Sequence, residues 1–190
     1  MSTMWDLIIS GVIGGLLMFS IFALNADLMQ VGHETTRDGY AQSELLGFTQ
    51  LIEYDFNKIG YRAGAPRVTK GDSTEIIYKS DDGNNHIIHT IRYTVGTVSE
   101  ASTTPNPRDF PLYKYIQGVQ SLKNYYGLTS FRLDYYDSTG RSITMPITAT
   151  SELNRIKLIK VRAIIQSFFP VDTTYASCYW ERTFVPKNLQ

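Results

Sequence analysis

The sequence contains only one cysteine, Cys178, so the chain cannot form an intramolecular disulfide or a zinc site built from several cysteines. It also lacks an excess of either charge, since 18 basic residues balance 18 acidic ones in a chain of 190. Proteins that bind nucleic acid typically carry a basic surplus, and we therefore expect no nucleic-acid partner. With 13% aromatic and 19% charged residues, the composition is typical of a folded chain.

Catalytic and cofactor-binding motifs are missing as well, since no G-x-S-x-G, P-loop, G-x-G-x-x-G or H-E-x-x-H pattern occurs. His86 and His89 lie on a predicted strand with side chains on opposite faces, and His33 lies in a polar helical stretch. The 81–85 segment offers oxygen ligands but no closing glutamate, which favours a turn over a calcium site. We therefore predict a non-enzymatic protein without cofactor or metal, in which Cys178 packs as a small hydrophobic side chain.

Charge is absent from one long run, residues 7–24. At about 1.5 Å per residue this run forms a helix of roughly 27 Å, close to the hydrocarbon thickness of about 30 Å. A cleaved signal peptide would need a basic segment before the run, whereas residues 1–6 contain no Lys or Arg. The run predicts a retained transmembrane helix, with a signal peptide and a soluble core helix as alternatives. Neither short flank carries the positive charge that would orient it.

Proline is absent before Pro66, so the helix is expected to continue beyond the membrane. From Ala41 onward, apolar residues recur at steps of 4, 3, 4, 4 and 3, which is typical of one helical face. This face consists of Ala41, Leu45, Phe48, Ile52, Phe56 and Ile59. The polar stretch 33–39 predicts a bend or a frayed turn, and Gly60 predicts the end of the helix.

The rest of the chain shows the period-two alternation of antiparallel strands with one solvated face. The predicted strands are a hairpin of 74–79 and 86–95, then 131–135, 159–165 and 176–184, with a bulge near 158–159 and a turn at 137–140 leading into 141–145. Residues 96–112 are predicted as a long loop. Tyr115, Val119, Leu122 and Tyr126 are spaced as one face of a short helix.

These segments predict an α+β fold, in which a long N-terminal membrane-inserted helix packs by its second half on an antiparallel β-sheet. Residues 1–30 would form the transmembrane and assembly helix. Residues 31–190 would form a soluble domain, with the helix over 40–60 and the sheet over 72–186. The side chains expected to pack between helix and sheet are Leu45, Phe48, Ile52, Phe56 and Ile59.

Two features of the membrane segment point to association between helices. Gly11 and Gly15 form a G-x-x-x-G pattern, and such small residues let two helices approach closely, although glycine is also simply common in membrane helices. Asp6 places a carboxylate at the membrane boundary, where it is costly unless it stays at the interface or meets a cation. In an assembly, that cation would be the α-amino group of a neighbouring chain.

Three further segments carry a resemblance to a known family: QLIEYDFNKIGYR (50–62), YYGLTSFRLDYYDSTG (125–140) and FVPKNL (184–189). Together with the apolar N-terminal helix they resemble type IV pilins and pseudopilins, closest to minor pilins and the J-type minor pseudopilins of type II secretion. The precursors of that family carry a short basic leader ending in Gly and a Glu at the fifth mature position. Removal of Met1 would place Asp6 fifth, an acidic match to that Glu.

The resemblance implies a structural subunit of a type IV pilus-like or pseudopilus-like filament, or of its membrane assembly complex. It implies other pilin-like subunits as partners, in homo- or hetero-assembly through the N-terminal helix. The expected location is the bacterial inner membrane, as a single-pass protein with an extracytoplasmic domain, or a cell-surface filament. The alternative is a monomeric, membrane-anchored extracytoplasmic binding domain that uses the aromatic residues of the 96–127 loop.

Overall fold

The computed structural model describes residues 2–171 and 173–190. Met1, on which the expected N-terminal processing depends, lies outside the described residues. One long helix precedes two antiparallel sheets, which confirms the predicted α+β class. The elements are α1 (Ser2–Asn57), β1 (Val68–Gly71), β2 (Glu75–Ser80), β3 (His89–Val95), a 3₁₀ turn (Val98–Ala101), β4 (Leu112–Ile116), β5 (Val119–Asn124), β6 (Leu128–Tyr136), α2 (Thr150–Arg155), β7 (Leu158–Gln166), β8 (Ser177–Phe184) and a second 3₁₀ turn (Lys187–Leu189).

Helix α1 runs without interruption through its polar stretch, so the predicted frayed turn over 33–39 is wrong. The Thr35 and Thr36 hydroxyls donate to the carbonyls of Val31 and Gly32, each at 2.8 Å, and no proline removes a backbone donor. A helical stretch that is polar all round can persist where it bridges two parts of a protein through solvent. The helix therefore continues from the apolar run directly into the folded domain.

The helix ends at Asn57, three residues before the predicted end at residue 60. Gly60 has a φ of +75°, and its N–H donates to the Lys79 carbonyl at 3.0 Å. A left-handed residue cannot continue an α-helix, and glycine adopts this conformation without a steric penalty. Gly60 thus turns the chain out of the helix and toward β2.

The first sheet is a five-stranded antiparallel meander in the order β1-β2-β3-β4-β5. It starts at Val68, before the predicted boundary of 72, and the predicted arm 86–95 is a strand only from His89. The predicted helix over 115–126 is wrong, since this segment forms most of the β4–β5 hairpin. Gln117 and Gly118 have φ values of +52° and +79°, the pair of positive φ values that a tight two-residue hairpin turn requires.

The second sheet has three antiparallel strands in the order β6-β7-β8. The bulge predicted near 158–159 is wrong, because the pairing of β6 with β7 is regular there and shifts instead between Leu128 and Ser130. Ile156 is out of phase with β7 because it lies before the strand, at the end of α2. The 141–145 segment contributes a single bridge, from Ser142 to Tyr136.

The buried face of α1 completes a core shared by both sheets. Ala41, Phe48, Ile52, Phe56 and Ile59 are fully buried, and Leu45 is partly buried against the same cluster. The helix contacts β7 and β8 along its second half. The Phe56 ring lies 5.9 Å from that of Tyr93 in β3 and 5.3 Å from that of Phe184 in β8, so it joins the two sheets.

Backbone and tyrosine hydrogen bonds also connect the sheets directly. The Leu133 N–H donates to the Ser73 carbonyl at 2.7 Å. The buried Tyr135 hydroxyl donates to the carbonyls of Asp72 and Glu75, at 3.1 and 3.2 Å. The domain from residue 34 onward is therefore one packed unit attached to the second half of α1.

Candidate membrane and assembly surface

In the described part of the chain, the first half of α1 is exposed along its whole length. Every residue from 3 to 33 is exposed, including Leu7 at 75% and Phe19 at 71%. A soluble protein rarely exposes so long an apolar surface, because each large side chain loses roughly 1.5–3 kcal/mol by staying in water. Among the described residues, α1 is the one helix long and apolar enough to cross a membrane. The structure thus contains a candidate single membrane span.

Asp6, Gly11 and Gly15 all lie on this exposed half of the helix. Side chains four residues apart share a face of a helix, so Gly11 and Gly15 lie one above the other. A Cβ atom placed on either glycine would meet nothing within 4 Å. Within residues 2–171 and 173–190, the Asp6 carboxylate has neither an ion-pair nor a hydrogen-bond partner. The three predicted assembly residues are therefore accessible to a neighbouring molecule.

A buried ion pair fixes the second half of α1 on the first sheet. Asp55 is 1% exposed, and its carboxylate accepts hydrogen bonds from the Lys114 ammonium at 2.6 Å and from the Tyr93 hydroxyl. Burial, together with the neighbouring carboxylate, raises the pKa of Tyr93 well above its usual value. Because an uncompensated buried charge is costly, this pair favours the observed position of the helix against β3 and β4. Sequence reasoning missed it, because Lys114 lies 59 residues from Asp55.

Two exposed contacts link the helix to the second sheet. The Arg182 guanidinium in β8 pairs with the Glu53 carboxylate. Farther down the helix, the Arg37 guanidinium donates to the hydroxyl of Thr174 at 3.2 Å and to its carbonyl at 3.4 Å. Arg182 lies on the same face of β8 as Cys178, Trp180 and Phe184, and it interrupts the apolar pattern of that face. The β7–β8 connection therefore lies beside the polar stretch of α1.

Among the residues considered as metal ligands, Asp81 and Asp82 lie at the turn after β2, whereas His89 begins β3 and His33 lies in α1. The Asp81 carboxylate accepts hydrogen bonds from the backbone N–H groups of Asn85 and His86, each at 3.0 Å, and pairs with Arg62 at 2.8 Å. His89 contacts the Asp82 carboxylate at 2.8 Å. In the described part of the chain, no three His, Cys, Asp or Glu side chains are grouped to hold a metal ion. Asp81 thus organises its turn through its own hydrogen bonds.

Three tyrosines of the 96–127 segment, Tyr113, Tyr115 and Tyr125, are partly exposed on the first sheet and beside it, whereas Tyr126 is buried in the core. The Lys123 ammonium lies 5.6 Å from the Tyr113 ring centre and 5.1 Å from that of Tyr125. The Arg92 guanidinium lies 5.4 Å from the Tyr115 ring. Rings with nearby cations can stack on planar or sugar-like ligands, and this is the surface that the alternative function would use.

Comparisons with known proteins do not identify the chain. No protein-family model matches it, and neither a curated protein nor a solved structure is significantly similar to it. An assignment of function to the chain therefore depends on its own residues and geometry.

Proposed function

We propose that the protein is a membrane-inserted, pilin-like structural subunit that assembles with other such subunits through the N-terminal half of α1. The proposal rests on one observation, that the two halves of one continuous helix differ in burial. Its second half supplies fully buried side chains to a domain core, whereas its first half is exposed along residues 3–33. A helix divided in this way can hold the domain at the membrane and offer the other half to lipid or to neighbouring helices.

The proposed mechanism is physical and involves no bond chemistry. In the bilayer, the apolar half of α1 is solvated by lipid tails, and the open Gly11–Gly15 face lets a second helix approach closely. The Asp6 carboxylate, at the membrane boundary, pairs with a cation of the neighbouring subunit and fixes the register between helices. When the subunits leave the bilayer together, their apolar halves are buried against one another in the filament core.

A comparison of glycine variants in the full chain tests the helix contact. Gly11→Leu should reduce the recovery of cross-linked or sheared assembly several-fold, because a bulky side chain prevents close approach. Gly32→Leu is the matched control, since Gly32 lies on the same helix beyond the apolar run and also has open space around it. Equal assembly by both variants would contradict a role for the Gly11–Gly15 face.

A second pair of variants tests the carboxylate. Asp6→Ala should weaken assembly and leave the domain folded, because Asp6 lies far from the core formed by residues beyond 41. Asp27→Ala, which removes another exposed carboxylate of α1, should leave assembly unchanged. If the two variants assemble alike, Asp6 does not set the register between subunits.

The second candidate function is a monomeric, membrane-anchored binding domain, and the Tyr113–Lys123–Tyr125 surface favours it. The two functions make opposite predictions about oligomeric state in native membranes. A filament subunit should cross-link to pilin-like neighbours. An anchored binding domain should stay monomeric and lose ligand binding when Tyr113 is replaced by Ala.

A further inference from the structure

The charges of the chain are distributed unevenly between its first helix and the rest. Residues 1–57 contain seven of the 18 acidic residues and only one of the 18 basic ones, so residues 58–190 carry 17 basic against 11 acidic residues. The neutral net charge of the whole chain therefore hides a domain with a basic surplus. A surplus of this kind attracts polyanions where it is concentrated on one surface.

Strand register concentrates part of this surplus on the side of the first sheet that is turned away from α1, which we call the outer sheet face. Successive side chains of a strand point to opposite faces of a sheet, and Tyr78 of β2 and Tyr93 of β3 point into the core. The residues that alternate with them, and those paired with these across the strands, lie on the outer sheet face. The basic residues there are Lys70, Lys79, Arg92 and Lys123.

Two of these four cations are neutralised within the protein. The Glu75 carboxylate pairs with both Lys70 and Arg92. In the described part of the chain, Lys79 and Lys123 have no ion-pair partner. Both side chains are at least partly exposed, so two positive charges of the outer sheet face are available to a ligand.

Two tyrosines lie among the cations. The ring centres of Tyr113 and Tyr115 are 6.0 Å apart, and Tyr115 is paired with Arg92 across β4 and β3. The Tyr113 hydroxyl donates to the Glu100 carboxylate at 2.9 Å. The face of an aromatic ring carries partial negative charge, which attracts the C–H groups of a sugar ring. The outer sheet face thus combines cations with surfaces on which sugars pack.

The two unpaired cations are far apart. Lys79 lies in β2 and Lys123 in β5, three strands away, and the register offsets them by four residues along the strands. At about 4.8 Å per strand and about 3.4 Å per residue, their Cα atoms are about 20 Å apart across the sheet. Arg92 and Tyr115 lie between them. A small anion cannot reach both cations, whereas an extended polymer can.

From this arrangement we infer that the outer sheet face binds an extended acidic polysaccharide. Lys79 and Lys123 pair with the carboxylates of two separate sugars, and Tyr115 packs against a sugar ring between them. The inference goes beyond filament assembly, because it concerns the domain and not the exposed half of α1. It also gives a ligand class to the tyrosine surface that the second candidate function would use.

Two other polyanions fit the outer sheet face less well. A nucleic acid strand would bring several phosphates over the same length, where only two cations are unpaired among the residues that the structure describes. Lipid headgroups would be too distant. The Asp55–Lys114 pair places the first sheet at the level of Asp55, which lies about 46 Å along α1 from Leu24 at the end of the apolar run.

Binding of hyaluronan to the full chain, dispersed in neutral detergent and followed by titration calorimetry, tests the inference. Hyaluronan is a linear polymer in which an acidic sugar alternates with a neutral one. The comparison probes are dextran, which has sugar rings without charge, poly-glutamate, which has charge without sugar rings, and a single-stranded oligonucleotide. We expect hyaluronan to bind, dextran not to bind, and the other two probes to bind more weakly than hyaluronan.

Variants of the outer sheet face should weaken the binding of hyaluronan. The combined substitutions Lys79→Gln and Lys123→Gln should reduce affinity at least about tenfold, because each removes a charge-assisted contact. Tyr115→Leu should reduce it about threefold or more through loss of the ring face. Lys187→Gln is the matched control, since Lys187 is an exposed lysine outside both sheets, and this variant should bind as the wild type does.

Three results would overturn the inference. The first is an affinity of the Lys79→Gln, Lys123→Gln variant equal to that of the Lys187→Gln control. The second is binding of poly-glutamate as tight as that of hyaluronan, which would show that charge alone is recognised. The third is tighter binding of the oligonucleotide, which would assign the outer sheet face to nucleic acid. Because binding is measured on dispersed chains, none of these results would contradict assembly through α1.

Discussion

The Phe48→Ala substitution tests how strongly the second half of α1 is held in the core. Phe48 is fully buried, and its ring packs edge-on against three others. The ring centres of Tyr126, Phe131 and Trp180 lie 5.8, 6.3 and 5.7 Å from it. Phe→Ala in a core typically costs about 3–5 kcal/mol, and the loss of three edge-to-face partners places Phe48 near the upper end of that range.

The assay is denaturant unfolding of a fragment comprising residues 31–190, followed by fluorescence or circular dichroism. The control is Leu46→Ala, which truncates a neighbouring apolar residue of α1 that is 61% exposed. It should change the free energy of unfolding by less than about 0.5 kcal/mol. If both substitutions cost the same, α1 does not pack on the sheets, and the account of the fold is wrong.

Three further predictions concern the ion pair, the acid response and the division of the chain. Lys114→Met should lower the free energy of unfolding by about 3–5 kcal/mol, because it leaves the buried Asp55 carboxylate without its cation. The control is Lys160→Met, which breaks an exposed pair with Glu181 and should cost less than about 1 kcal/mol. Hydrogen bonds, first from the Thr139 hydroxyl and then from backbone N–H groups, hold the pKa of Asp137 well below its usual range. Its stabilising effect is therefore present above about pH 4 and is lost as the pH falls. The difference in unfolding free energy between wild type and Asp137→Asn should shrink between pH 7 and pH 3. A difference that stays constant over this range would contradict the prediction. A fragment of residues 31–190 should be recovered in the soluble fraction after cell lysis, because the deleted first part of α1 is exposed and supplies nothing to the core. Recovery of the fragment mainly in membranes, without aggregation, would contradict the two-part organisation.

The sequence could predict those features that repeat with a local period. The membrane span follows from an uncharged run, and the helical face follows from steps of 4, 3, 4, 4 and 3, whose members include the buried Phe48 and Ile52. The alternation of Ile159, Val161 and Ala163 likewise matches the buried face of β7. These patterns are readable because side chains on one face of a helix or strand recur at fixed intervals.

Features without a local period could not be predicted in this way. The β4–β5 hairpin was misread as a helix, because residues of two strands joined by Gln117 and Gly118 fall by chance at helical spacing. The Asp55–Lys114 pair and the Arg37–Thr174 contact join residues 59 and 137 positions apart. Such contacts exist only after the sheets have formed, so they cannot be inferred from composition or residue spacing.

The central claim is that the exposed half of α1 associates with the helices of other subunits through one face, and cysteine cross-linking along that half tests it most directly. In a Cys178→Ser background, single cysteines at Gly11, Ile13 and Gly15 would be oxidised in native membranes. Successive residues of a helix turn by about 100°, so Gly11 and Gly15 share a face and Ile13 lies nearly opposite. We predict strong cross-linking at Gly11→Cys and Gly15→Cys and weak cross-linking at Ile13→Cys. Absence of cross-linking at all three positions, or equal cross-linking at all three, would contradict the claim.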